Sequence, residues 1–300
     1  MRIAFFVETF PKVSEVFIIN QVADLLDRGV DVEIYYLKRE DSKAIAGRYE
    51  EYRMWERAYA IGPSVSYAAR LGLLVRRPLL FLRALRAGPH GVTAATTLRN
   101  KRFDVAHCHF GRMANRYLPI RRLLNHTMPM LTSLYGYDVS LLPKAKGSSY
   151  YDDLKRVCHR YIVMSEDMKQ RVMALGFSEK ELTVLPVSID VDALPFAERT
   201  IDSGESVQLV SVGRFVEKKG FDDLIRAVAL VKKEAPLPFH VTIIGGGEGE
   251  SELKKLAEEC DVSDVLSFAG YMKLENVYKT YLKSHLYLQP SKTARNGDME

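Results

Sequence analysis

The stretch LVSVGRFVEKKGFDDLIRAV, Leu209 to Val228, decides the fold. It opens as a short apolar run of strand type and turns between Gly213 and Gly220 through Arg214, Lys218 and Lys219. It then continues with apolar residues at helical spacing. A strand feeding a helix through a short turn is half of a β-α-β unit, the connection that parallel strands require.

Working outward, the same alternation recurs on both sides. Toward the C-terminus come the strands FHVTIIGG, VLSFAG and HLYLQPS, separated by the helical stretches ESELKKLAEEC and LENVYKTYLKS. Toward the N-terminus, DVDALPFAERTIDSGESVQ breaks the rhythm with Pro195, Gly204 and a run of polar residues, and reads as a linker. Before it, strands are expected at Ile3 to Val7, VDVEIYYL, RAYAIG, FDVAHCHF, MLTSLYG, RYIVMS and LTVLPVSI. The helix within SEVFIINQVADLLDRG has Ser14 as a candidate N-cap and Gly29 as its stop. The expectation is an α/β protein of two Rossmann-like domains: 1–193, a linker over 194–206, and 207–300. The second is expected to be incomplete, because the chain ends at Glu300 shortly after a strand.

Composition narrows the class. Of 300 residues, 47% are hydrophobic and 27% charged, with no low-complexity tract, which excludes a disordered or fibrous chain. Cys108, Cys158 and Cys260 are too scattered for a disulfide framework or a zinc ribbon. No apolar run approaches the roughly 18 to 20 residues of a membrane span, and Glu8 interrupts the N-terminal one, so a cytoplasmic protein is expected.

The net charge of +5 is unevenly spread. From Arg70 to Arg102 there are eight cations, Arg70, Arg76, Arg77, Arg83, Arg86, Arg99, Lys101 and Arg102, and no acid. LGLLVRRPLLFLRALRAG within this segment leaves two readings open: a helix lying on the anionic inner face of the cell membrane, or a core-packed helix with a solvated basic side. Residues 70–102 lack interleaved aromatics or a known binding motif, so no nucleic-acid partner is expected.

In an open parallel sheet, ligands sit beyond the carboxyl ends of the strands, where helix N-termini present unpaired amides. The Arg214 to Gly220 turn falls there, and a guanidinium, an ammonium and a helix dipole suit a doubly charged leaving group. The opposing reading is a solvated basic turn paired with Glu217, Asp222 or Asp223.

VGRFVEKKGFDDLIRAV, VTIIGGGEGESELKKLAEE, LSFAGY and LYLQPSKTARNGDME together resemble the donor half of retaining family 4 glycosyltransferases of the GT-B fold. FPKVSEVFIINQV, AHCHFG and LYGYDVS resemble the bacterial exopolysaccharide, colanic-acid type, branch. The resemblance covers nearly the whole chain and favours the ligand-binding reading of the turn. It implies that Arg214 and Lys219 hold the donor diphosphate and that Glu300 contacts the transferred sugar. It places Gly245 beside the donor nucleoside, in a loop where Glu250 rules out the dinucleotide fingerprint.

For the first domain, Glu8, Thr9, Ser14 and Glu15 fall in the loop that would meet an acceptor or the donor phosphates, with a cap as the other reading of Ser14. Tyr135 stands where the family commonly has a histidine near the reacting sugar. A phenol can hydrogen-bond a hydroxyl but cannot do imidazole proton chemistry near neutral pH. Asp138 is a candidate acceptor contact. His107 and His109 share a strand face, but no third ligand is at hand, so hydrogen bonding is preferred over a metal site, with His109 the better site candidate. Asp190 to Asp192 reads as a turn. The resemblance thus implies transfer, with retention and without metal or other cofactor, from a nucleotide-diphosphate sugar to a glycan or lipid-linked acceptor. The alternative is a catalytically incompetent, truncated protein that binds a sugar nucleotide or a membrane.

Overall fold

The computed structural model describes residues 1–40, 47–62, 67–88, 90–187, 196, 198–202 and 204–299. Contacts divide the chain into two compact units, Met1–Ile189 and Asp190–Glu300. Glu300, Ser188, Asp190 to Asp192 and part of the expected linker lie outside the described residues.

The first unit is built on a seven-stranded sheet. Its strands are β1 (Arg2–Thr9), β2 (Asp31–Lys38), β3 (Ala58–Ala60), β4 (Val105–His109), β5 (Met130–Ser133), β6 (Arg160–Val163) and β7 (Leu182–Val184). Every pairing is parallel, in the order β3-β2-β1-β4-β5-β6-β7. Side-chain alternation explains why β1 is central. Phe5 and Val7 point into one apolar cluster with Ile18, Val22 and Ile34, while Ala4 and Phe6 point into another with Tyr35, Cys108 and Tyr117. A strand apolar on both faces is stable only with cover on both, and the helices Val16–Asp27 and Gly111–Leu123 supply it. Burying each such phenylalanine contributes roughly 1.5–3 kcal/mol.

The helix Val16–Asp27 stops as its sequence implies. Gly29, at φ +73°, donates to the Leu26 carbonyl and Val30 donates to that of Leu25, the paired bonds of a glycine-terminated helix. Its start differs from expectation. Ser14 sits exposed inside a 3-10 turn, Val13–Glu15, and makes no capping bond, because the helix begins at Val16, one residue later than a Ser14 cap requires.

The basic segment folds as two short helices, Tyr67–Arg76 and Pro78–Arg86, against a third, Gly91–Leu98. Leu73 and Ala84 turn inward to Ala95. Leu71, Leu74, Val75, Leu79, Leu82 and Leu85 turn outward beside the arginines, so the outer side is not merely a solvated basic one.

The second unit carries β8 (Val207–Arg214), β9 (Phe239–Gly246), β10 (Leu266–Gly270) and β11 (Leu286–Tyr287), all parallel in the order β10-β9-β8-β11. The helices Phe221–Glu234 and Glu250–Glu259 close a core of Phe215, Phe221, Ile225, Val241 and Ile243.

Candidate functional site

In the second unit, candidate ligand groups gather at the carboxyl end of β8. Arg214 is its last residue and is exposed, in register with Gly246 of β9, while Gly213 pairs with Gly245. A 3-10 turn, Glu217–Lys219, leads to Gly220 at φ +68° and then to the helix Phe221–Glu234. Gly220 must be glycine: beyond its left-handed backbone, a Cβ there would overlap the Pro290 carbonyl. Lys219 folds back along β8, so that a Cβ placed on Gly213 would lie 3.3 Å from its Cδ. Arg214 and Lys219 are thereby brought to the same strand end, next to a helix N-terminus.

The carboxylates around this turn have partners of their own. Asp222 and Asp223 accept from Lys292 at 2.7 and 2.8 Å and from Arg226 at 3.1 and 3.4 Å. Burial pushes the Asp222 carboxyl up, but Lys292 and Arg226 outweigh it and hold the group below the ordinary range. Glu217 accepts from the Arg295 amide at 3.1 Å. Lys218, the cation the resemblance left unassigned, pairs with Asp298 at 3.3 Å. Among the described residues Arg214 makes no ion pair.

Gly245, at φ +142°, packs so closely that a Cβ would overlap the Gly213 carbonyl. Phe215 donates its amide to Gly246 at 2.9 Å and accepts from the Gly249 amide at 3.1 Å. The glycine loop therefore wraps β8's exit. Close approach to the Gly213 carbonyl at Gly245, to the Tyr271 ring at Gly246 and to the Phe215 backbone at Gly247 and Gly249 is the immediate reason for its glycines.

In the first unit the strand order reverses between β1 and β4, each of which continues to one side. Such a switch point opens a crevice at the strands' carboxyl ends. There Glu8, near the end of β1, accepts from Arg112 Nε at 2.9 Å and from Arg116 at 2.6 Å. Burial raises the Glu8 carboxyl, but the two guanidinium groups outweigh it and leave the group below its ordinary value. This cluster was missed at the sequence level. Its signal was Arg112 and Arg116 at i,i+4 on the helix that leaves β4.

His109, at the end of β4, is fully buried, and its Nδ1 lies 2.8 Å from the Tyr135 hydroxyl. Its Nε2 is buried without a partner. His107 reaches Ser133 Oγ at 2.8 Å. Burial lowers both imidazoles, His107 to about 4, so both are neutral near pH 7. Among the described residues no three His, Cys, Asp or Glu side chains are placed to hold a metal ion. Phe110, which follows, adopts φ +71° and stacks obliquely on Tyr135 at 4.4 Å. A non-glycine residue in that region marks backbone held by its surroundings.

Burial raises the Tyr135 phenol, which stays protonated and able to donate. Glu15, half-buried, accepts from Lys12 at 2.5 Å; burial first, and then Glu8 nearby, raises its carboxyl. Asp138 departs from its expected role. It is fully buried and accepts the Tyr135 amide at 3.1 Å, while burial lifts it to about 6 against the pull of the Tyr135, Gly111 and Arg112 amides. A carboxylate without exposed surface offers no contact to an acceptor; it braces Tyr135. Ser14 is exposed and unassigned by any contact described.

Comparison with known proteins adds independent information. Residues 14–193 match the family described as Glycosyltransferase Family 4, and residues 197–297 match Glycosyl transferases group 1. The amylovoran biosynthesis glycosyltransferase AmsK of Erwinia amylovora is 26% identical, over all of this chain and 78% of its own length. The putative colanic acid biosynthesis glycosyltransferase WcaL of Escherichia coli K12 is 24% identical with the same coverage. The Anabaena Alr3699/HepE structure in complex with UDP-glucose superimposes with TM-score 0.63 at 15% identity, covering 98% of this chain and 74% of that one. At that identity the likeness shows the fold, which is GT-B. With one family model spanning more than half its length and the companion model most of the rest, the chain belongs to the family 4 glycosyltransferases.

Proposed function

We propose that this protein transfers a sugar, in the cytoplasm and with retention of configuration, from a nucleoside-diphosphate sugar to a glycan or lipid-linked acceptor in exopolysaccharide or lipopolysaccharide assembly. The observation that carries the reading is the placement of Arg214 and Lys219 together at the end of β8, beside the start of the helix Phe221–Glu234. Two cations gathered at a strand end beside a helix N-terminus suit a diphosphate. The names of AmsK and WcaL and the UDP-glucose bound to HepE support the same reading.

In the proposed reaction the bond from the sugar's anomeric carbon to the diphosphate breaks, and a bond to the acceptor oxygen forms on the same face. The acceptor's proton passes to the departing phosphate oxygen. Arg214, Lys219 and the start of the helix Phe221–Glu234 stabilise the growing negative charge, the effect expected to dominate the rate. Tyr135, as a neutral donor, orients a sugar hydroxyl, with His109 holding its ring; Glu15 faces the acceptor, and Gly245 the nucleoside. Glu300 is assigned to the transferred sugar by the resemblance alone.

The test is a thermal-shift screen of nucleotide sugars, because a ligand selecting the folded state raises its midpoint. Stabilisation by one nucleoside diphosphate sugar, followed by release of its diphosphate on adding acceptor in the presence of a chelator, is expected. No shift with any donor overturns the proposal.

A further inference from the structure

The helices Tyr67–Arg76 and Pro78–Arg86 carry a surface that the transferase reading does not use. Leu71, Leu74 and Val75 lie at spacings of three and one on the first helix, and Leu79, Leu82 and Leu85 at intervals of three on the second. Such spacings share a helix side. All six are exposed, Val75 at 72% and Leu79 at 74%, far more than large aliphatic side chains ordinarily are. Around them stand Arg70, Arg76, Arg77, Arg83 and Arg86, also exposed. Leu73 and Ala84, on the opposite side, anchor the pair to Ala95. The pair is therefore already packed on its inner side, and its outer apolar side is surplus to the fold.

Charge selects the occupant. A second copy would set these arginines against one another, and no acid between Arg70 and Arg102 relieves that repulsion. A bilayer rich in anionic lipid offers both complements, acyl chains for the leucines and phosphates for the guanidinium groups. We propose that this helix pair docks the protein on an anionic membrane surface, the leucines at the boundary of headgroups and acyl chains and the arginines among the phosphates. His90, just beyond the pair's end, feels the charges of Arg116 and Glu8. Delivery of a lipid-linked acceptor to the first unit's crevice rests on the function proposed above, whereas docking does not.

The experiment is flotation of the 300-residue chain with vesicles of phosphatidylcholine alone or mixed with phosphatidylglycerol, which separates bound protein from aggregates that sink. The chain should float with the anionic vesicles, weakly with the neutral ones, and less as salt rises. Leu79→Ser with Leu82→Ser should abolish flotation, and Arg83→Gln with Arg86→Gln should weaken it about fivefold for each arginine. Both pairs are exposed, so unchanged circular dichroism and donor-induced thermal shifts should accompany the loss. Protein that stays at the bottom with anionic vesicles overturns the proposal, as does equal flotation of both variants. A dimer in solution that Leu79→Ser with Leu82→Ser makes monomeric assigns the surface to a second copy and also overturns it.

Discussion

The hydroxyl of Tyr135 lies 2.8 Å from Nδ1 of His109, joining the end of β4 to the second residue after β5 in a contact between neutral partners. His109 has no other polar partner, since its Nε2 is buried and unpaired. Tyr135→Phe should therefore leave a wholly unsatisfied imidazole and lower stability by about 1–3 kcal/mol, read by urea denaturation. An unchanged midpoint would show that His109 does not depend on this hydroxyl.

The buried histidines set a pH dependence. Burial lowers His90, His107, His109 and His126, with His107 and His126 at about 4 against an ordinary 6.5. The unfolded chain then binds more protons than the folded one, so stability is lost as pH falls from about 6.5 toward 4. Each imidazole contributes up to about 1.4 kcal/mol per pH unit. Asp138, raised to about 6, and Glu15, also raised, act oppositely, because the folded state binds their protons first. Four imidazoles outweigh two carboxyls, so denaturation midpoints should decline across the window. Asp138→Asn should steepen the decline below pH 6.

Arg214→Ala should reduce sugar transfer by about two orders of magnitude, the usual scale for removing one charge-stabilising donor. Exposed at the strand end, Arg214 can be removed with little change in stability. Steady-state kinetics on a folded variant with wild-type turnover would refute its assignment to the diphosphate.

Glu8→Gln should weaken the tie between β1 and the helix Gly111–Leu123. Glu8 is mostly covered but its arginines are about a third exposed, so solvent screening limits the loss to about 1 kcal/mol near neutral pH. The Glu8 carboxyl is held below its ordinary 4.5, so its contribution is present above that value and lost as pH falls through the folded value. Wild-type and variant unfolding curves should converge in acid.

Gly220→Ala should cost about 1–3 kcal/mol, since alanine resists φ +68° and its methyl would meet a backbone carbonyl that cannot rotate away. Amide exchange at Lys292 should accelerate in parallel, because its bond to the Lys218 carbonyl spans the same contact.

What could be read from residues alone divides along physical lines. Each expected strand is present, because apolar runs bounded by turn residues are local signals; so is the helix stop at Gly29, because a left-handed C-terminal residue has a local signature. The helix starts one residue beyond the position a Ser14 cap implies, since a serine cap and a serine in a preceding 3-10 turn look alike in sequence. Glu8 was singled out, but its partner Arg112 lies 104 residues away and no local pattern joins them. Likewise Lys218 pairs with Asp298, 80 residues on. Asp138 was legible as a charge but not as a buried one, because burial depends on how β5, Tyr151 and the helix Gly111–Leu123 close over it.

The grip of Lys292 on Asp222, across 70 residues of chain, makes the segment after β11 a built-in sensor of the turn after β8. A fluorophore placed near Ser291 would register any shift of that turn. The protein thus offers a way to watch its cationic loop respond to small molecules in real time.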